Sequence, residues 1–111
     1  AGFVSRLADE QAASWVVVDG YCFDETYLRS LTDPRVLLID DEGRDLLPNV
    51  DAVLNQNVFA GNEMYPSNTR SRLLLGTAYA LLRREFVHRS QPRRAEDVSR
   101  LPAKRRPTAA Q

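Results

Sequence analysis

The sequence predicts an α/β domain built on a parallel sheet, and three observations carry that prediction. Short apolar runs recur at Trp15–Val18, Val36–Ile39, Ala52–Leu54 and Leu73–Leu75, continuous in the manner of strands buried on both faces. A capped amphipathic segment separates the first two runs, giving the strand–helix–strand alternation of parallel sheets. Each of the first three runs also stops at polar or acidic residues, so polar groups gather at one end of successive strands.

Taken in order, residues 2–12 place Phe3, Val4, Leu7 and Ala8 at spacings that suit one face of a helix. Trp15-Val16-Val17-Val18 reads as a first strand, apolar on both faces and ending at Asp19-Gly20. Asp24 is placed to cap a helix over ETYLRSL, with Tyr27, Leu28 and Leu31 as its apolar stripe. Asp33-Pro34 breaks that helix. Residues 35–40 form the second strand, and residues 52–57 a third that runs into Asn55-Gln56-Asn57. Gly, Pro and Asn supply turns in VFAGNEMYPSNTRS, after which residues 73–76 give a short fourth strand. Residues 78–87 read as a strand or a short helix, with a helical turn favoured. From residue 88 hydrophobic periodicity ends, so the domain is expected over 1–87 and a basic Arg/Pro/Ala-rich linker or tail over 88–111.

At 111 residues, 43% hydrophobic and 27% charged, the chain has the material for one soluble core. Its apolar runs are far shorter than the ~20 residues that span a bilayer, and the N-terminus lacks the order of a signal peptide. A start on Ala-Gly is expected of a protein whose beginning has been trimmed. One cysteine, Cys22, cannot build a disulfide framework, and a cytoplasmic location is expected; Cys22 reads as a buried small hydrophobe. Net charge is zero but polarised. Residues 1–50 carry ten acidic and four basic side chains, a balance of −6, and residues 51–111 balance at +6. Fourteen of the fifteen basic residues are Arg, without the aromatic interleaving of single-strand binders; neither nucleic acid nor membrane is an expected partner, and binding to either through the basic tail is a competing reading.

Ligands of open α/β sheets bind beyond the carboxyl ends of the strands. That rule selects Asp19-Gly20-Tyr21, Asp40-Asp41 and Asn55-Gln56-Asn57, whose carboxylates, phenol and amides can hydrogen-bond sugar hydroxyl and acetamido groups. Each has a plain alternative: Asp19 can satisfy a loop, Asn55 and Asn57 can make a turn, and vicinal Asp40 and Asp41 should point in different directions. The candidate ligand-binding residues are Tyr21, Asn55, Asn57, Asp19 and Asp41. His88 stands alone without a second ligand at metal spacing, and no G-x-G-x-x-G or P-loop occurs, so neither a metal site nor a cofactor is expected.

The segments WVVVDGY with its capped helix, LLIDDEG, AVLNQN, Tyr65 and LLLGTAYALLRREF, in this order over about residues 12–87, resemble the PseG/SpsG-like family of UDP-sugar hydrolases of pseudaminic acid biosynthesis. The resemblance implies a Rossmann-like parallel sheet, the second half of the N-terminal domain of a two-domain, glycosyltransferase-B-like protein. It implies metal-free hydrolysis of a UDP-linked 2,4-diacetamido-2,4,6-trideoxy sugar, with a histidine in a Gly-rich loop as general base and a second domain holding UDP. That loop would precede Ala1, and the second domain would follow the tail, so no catalytic residue is expected here and the chain alone is expected to be inactive. Tyr21 matches the family's D-x-Y loop tyrosine, and Asn55-Gln56-Asn57 its cleft-edge run. The family's first strand would also lie beside residues 15–19, so an exposed, unpaired edge with self-association is expected. A glycosyltransferase of the same architecture and a sugar-binding module without turnover remain the alternatives.

Overall fold

The computed structural model describes residues 2–87; His88 and the basic tail lie outside the described residues. These fall into two compact units divided between Leu81 and Leu82. The first holds α1 (Phe3–Glu10), β1 (Trp15–Asp19), α2 (Glu25–Ser30), β2 (Arg35–Ile39), β3 (Ala52–Asn55) and β4 (Arg72–Leu75). The second, described by itself, holds one helical turn, α3 (Arg84–Val87). Among the described residues no helix is long and apolar enough to cross a membrane.

The four strands form one all-parallel sheet in the order β1-β2-β3-β4, a Rossmann-like half-domain of the α/β class. The cap on α2 works as its sequence implies: the Tyr27 N–H donates to Asp24 Oδ1 at 2.9 Å, satisfying one of the donors a helix start leaves unpaired. Leu28 and Leu31 of the predicted stripe are buried and pack on Val18, Val36, Leu38 and Val53. Alternation along the strands puts these residues on one face of the sheet. Leu37, Ile39, Ala52 and Leu54 occupy the other face.

Three expectations need correction. In α1 only Val4 and Ala8 turn toward the core, while Phe3 is 73% and Leu7 42% exposed; one residue earlier on a helix is rotated ~100°, enough to leave the seam. β1 is not buried on both faces: Trp15 is 45% and Val17 57% exposed, on the face opposite Val16 and Val18, which turn toward the core. Cys22 is exposed rather than buried, since the turn after β1 sends Phe23, its neighbour, against the core. Within residues 77–87 a 3-10 turn forms at Thr77–Tyr79 and a helical turn, α3, at Arg84–Val87, with neither helix nor strand between them.

Candidate functional site

The carboxyl ends of β1, β2 and β3 open into a cleft of about 200 Å³. Parallel strands place their last residues side by side, which is why three separated sequence clusters meet here. Asp19, Tyr21, Asp40, Asp41, Arg44, Gln56 and Asn57 supply its polar lining, and Ile39, Leu54 and Leu81 its apolar wall. Leu81 is drawn in because its backbone N–H donates to Gln56 Oε1 at 2.8 Å.

Tyr21 projects from the loop after β1, and its hydroxyl donates to Asp41 Oδ2 at 2.7 Å. That hydrogen bond and the adjoining Asp41 charge raise the hydroxyl's pKa, since ionisation would lose the bond and set two anions together. The pair bridges the β1 and β2 loops across the cleft. Asn57 closes the third side: its side-chain nitrogen donates to Asn55 Oδ1 at 3.0 Å and lies 3.5 Å from the Asp41 carbonyl oxygen.

Asp40 and Asp41 diverge as vicinal residues leaving a strand should. Asp40 turns inward, where its Oδ2 accepts from the Gly43 N–H and the Tyr65 hydroxyl, both at 2.9 Å. Asn55 Nδ2 donates to the same hydroxyl at 3.0 Å, so Asp40, Tyr65, Asn55 and Asn57 form one continuous chain of hydrogen bonds from β2 to the cleft. Gly43 fits this turn because its φ is +84° and a Cβ there would approach the Met64 carbonyl oxygen to 2.8 Å.

Of the candidate residues, Asp19, Tyr21, Asp41 and Asn57 line the cleft. Asn55 is fully buried and acts through Asn57 and Tyr65. The sequence reading missed Arg44, and it placed Tyr65 only within the family resemblance, with no role in the site. A signal existed for Tyr65: an Asn at the end of an otherwise apolar buried strand must find a polar partner. Arg44 pairs with Asp40 at 3.4 Å and donates to the Phe23 carbonyl at 2.7 Å. Among the described residues it is the one cation lining the cleft, and it is already engaged, while Asp19, Asp40 and Asp41 line it too. No three His, Cys, Asp or Glu side chains among the described residues cluster as a metal would need.

Burial, reinforced by the bond to Asp40, pushes the Tyr65 hydroxyl up to about 12, against an ordinary value of 10.0. Because the folded value lies above the unfolded one, the stability from neutral Tyr65 is complete below pH 10 and is lost as pH climbs toward 12. The expected loss is about 2–3 kcal/mol over that window. Urea titrations at stepped alkaline pH check this. In Tyr65→Phe that decline should vanish; an unchanged slope would assign it to other groups.

No known family's sequence profile matches the chain, and no curated protein shows significant similarity to it.

Proposed function

We propose that this chain forms the sugar-recognising side of a UDP-sugar hydrolase of the pseudaminic acid type, binding a 2,4-diacetamido-2,4,6-trideoxy sugar without hydrolysing its UDP linkage alone. The observation that carries the reading is the cleft itself, with a phenol, amides and carboxylates beside an apolar wall at the carboxyl ends of three parallel strands. Sugar hydroxyl and acetamido N–H groups suit Asp19, Asp41 and the Asn57 side-chain oxygen as acceptors. The 6-deoxy and acetamido methyl groups suit Ile39, Leu54 and Leu81. At about 200 Å³ the cleft falls below the ~300–1,000 Å³ of drug-sized pockets, room for one ring rather than a nucleotide. Its acidic lining disfavours a diphosphate, so UDP belongs elsewhere in the proposed enzyme. The order of motifs from WVVVDGY to LLLGTAYALLRREF supports the same assignment.

The test is a titration of this chain with the free diacetamido-trideoxy sugar and, separately, with UDP, followed by NMR. Shifts at Tyr21, Asp41 and Asn57 with the sugar and none with UDP are expected. Asn57→Ala should weaken the sugar about fivefold, the loss of one ordinary hydrogen bond. Binding of UDP at these residues, or no response to the sugar, would overturn the proposal. UDP release from the UDP-linked sugar by this chain alone would refute the division of labour.

A further inference from the structure

Beyond β4 the chain turns toward the cleft, and a side chain at the exit of β3 holds it there. The Gly76 N–H donates to the Asn55 carbonyl at 2.8 Å, the last bond between these two strands. Gly76 then takes a φ of +91°, a left-handed value that side-chain-bearing residues rarely adopt. After the 3-10 turn at Thr77–Tyr79, the Leu81 N–H reaches Gln56 Oε1 at 2.8 Å. Among the described residues this is the one hydrogen bond that ties residues 77–81 to the cleft. Leu81 is 62% exposed and still lines the cleft, so this bond rather than burial sets its place. The bond also fixes the Gln56 amide. A backbone N–H can only donate, so the amide oxygen must face it, and the planar group turns Nε2 the other way. Among the described residues Gln56 Nε2 has no hydrogen-bond partner.

The other side-chain donors of the cleft are already engaged. The Tyr21 hydroxyl donates to Asp41 and Asn57 Nδ2 to Asn55, while Arg44 gives Nε to Asp40 and Nη1 to the Phe23 carbonyl. Acceptors are plentiful by contrast, with Asp19, Asp41 and the Asn57 side-chain oxygen on the lining. A ring hydroxyl or an acetamido N–H satisfies an acceptor, whereas the free donor of Gln56 calls for a group that only accepts. We propose that Gln56 is a specificity-determining residue whose Nε2 donates to the carbonyl oxygen of an acetamido group, an assignment that rests on the sugar reading above. The carbonyl oxygen and the methyl of an acetyl group share one carbon. The same pose therefore brings that methyl toward Leu81, which the oxygen of the same amide holds. A hydroxyl in place of the acetamido group lacks the methyl, and its oxygen sits two bonds nearer the ring than the carbonyl oxygen does. Gln56 thus reads the acetamido group as a whole, its polar end directly and its apolar end through Leu81.

The experiment compares wild type, Gln56→Ala and Gln56→Glu by NMR titration with two free sugars. One is the diacetamido-trideoxy sugar; the other is the 6-deoxyhexose of the same ring configuration with hydroxyls in place of both acetamido groups. Wild type should prefer the diacetamido sugar by roughly tenfold. Both variants should lose most of that preference by binding the diacetamido sugar more weakly, with their affinity for the deoxyhexose unchanged. Gln56→Glu separates recognition from support, because its carboxylate still accepts from the Leu81 N–H but has nothing to donate. The Leu81 amide proton should accordingly keep its wild-type resonance in Gln56→Glu and move in Gln56→Ala. A full preference retained by Gln56→Glu would mean that the residue only holds Leu81. Equal losses for both sugars, or a Leu81 amide that moves in both variants, would mean a structural role alone. Each of these results overturns the assignment and leaves the sugar reading standing, since wild type binds the diacetamido sugar in all of them. Binding of neither sugar by wild type overturns both.

Discussion

Asp40→Ala is expected to destabilise the domain by about 3–4 kcal/mol, although it removes only one side chain. The Asp40 carboxylate accepts from Gly43, Tyr65 and Arg44, and Tyr65 is only 5% exposed. With alanine in place, the Tyr65 hydroxyl keeps the incoming bond from Asn55 but has no acceptor for its own proton. The Gly43 N–H loses its partner, and a half-buried Arg44 loses its counter-ion. An unsatisfied buried donor costs roughly 1–3 kcal/mol, and a broken, partly buried ion pair adds to that. For a domain of this size about 4–8 °C of Tm goes with each kcal/mol, so a thermal scan should show a fall of more than about 12 °C. Asp40→Asn keeps the volume and one acceptor oxygen and should fall between the two. A Tm within a few degrees of wild type for Asp40→Ala would show that water replaces the carboxylate and that the network is not a support.

The same substitution separates support from contact. Asn57 reaches the cleft through Asn55, and Asn55 is fixed by Tyr65. Loss of Asp40 should therefore loosen Asn57 without touching its own atoms, and ligand affinity should fall along with stability. Replacing Asn57 itself should lower affinity alone.

The cleft was legible in the sequence because one rule of parallel sheets converts three strand ends into one place. Asp19, Asp41 and Asn57 each follow an apolar run, and the runs are unambiguous. The helix cap at Asp24 was equally visible, since an Asp before an amphipathic segment has a local reason to be there. What the sequence concealed depends on contacts distant along the chain. Tyr65 lies in a Gly- and Pro-rich loop, and nothing local marks it as the partner of Asn55, ten residues earlier. Trp15 and Val17 misled for the opposite reason. A β-branched and aromatic run looks the same whether both faces are covered or one is, and periodicity cannot report which layer is present. Cys22 shows a third limit, because a single residue in a turn has no periodicity to read.

Leu38→Ala should destabilise the domain by about 3 kcal/mol, whereas Leu37→Ala, one residue away on the same strand, should cost about 1 kcal/mol. Leu38 is 0% exposed and packs among Val18, Leu28 and Val53, so its truncation leaves a cavity between the sheet and α2 that rigid neighbours cannot close. Leu37 points to the opposite face, in register with the half-bare Val17 on one side and Ala52 on the other. Water can enter the space its side chain leaves, so only a partial transfer energy is lost. Urea unfolding at low protein concentration reads both values as shifts in midpoint at constant slope. Equal costs for the two substitutions would mean that a further layer covers the second face in solution.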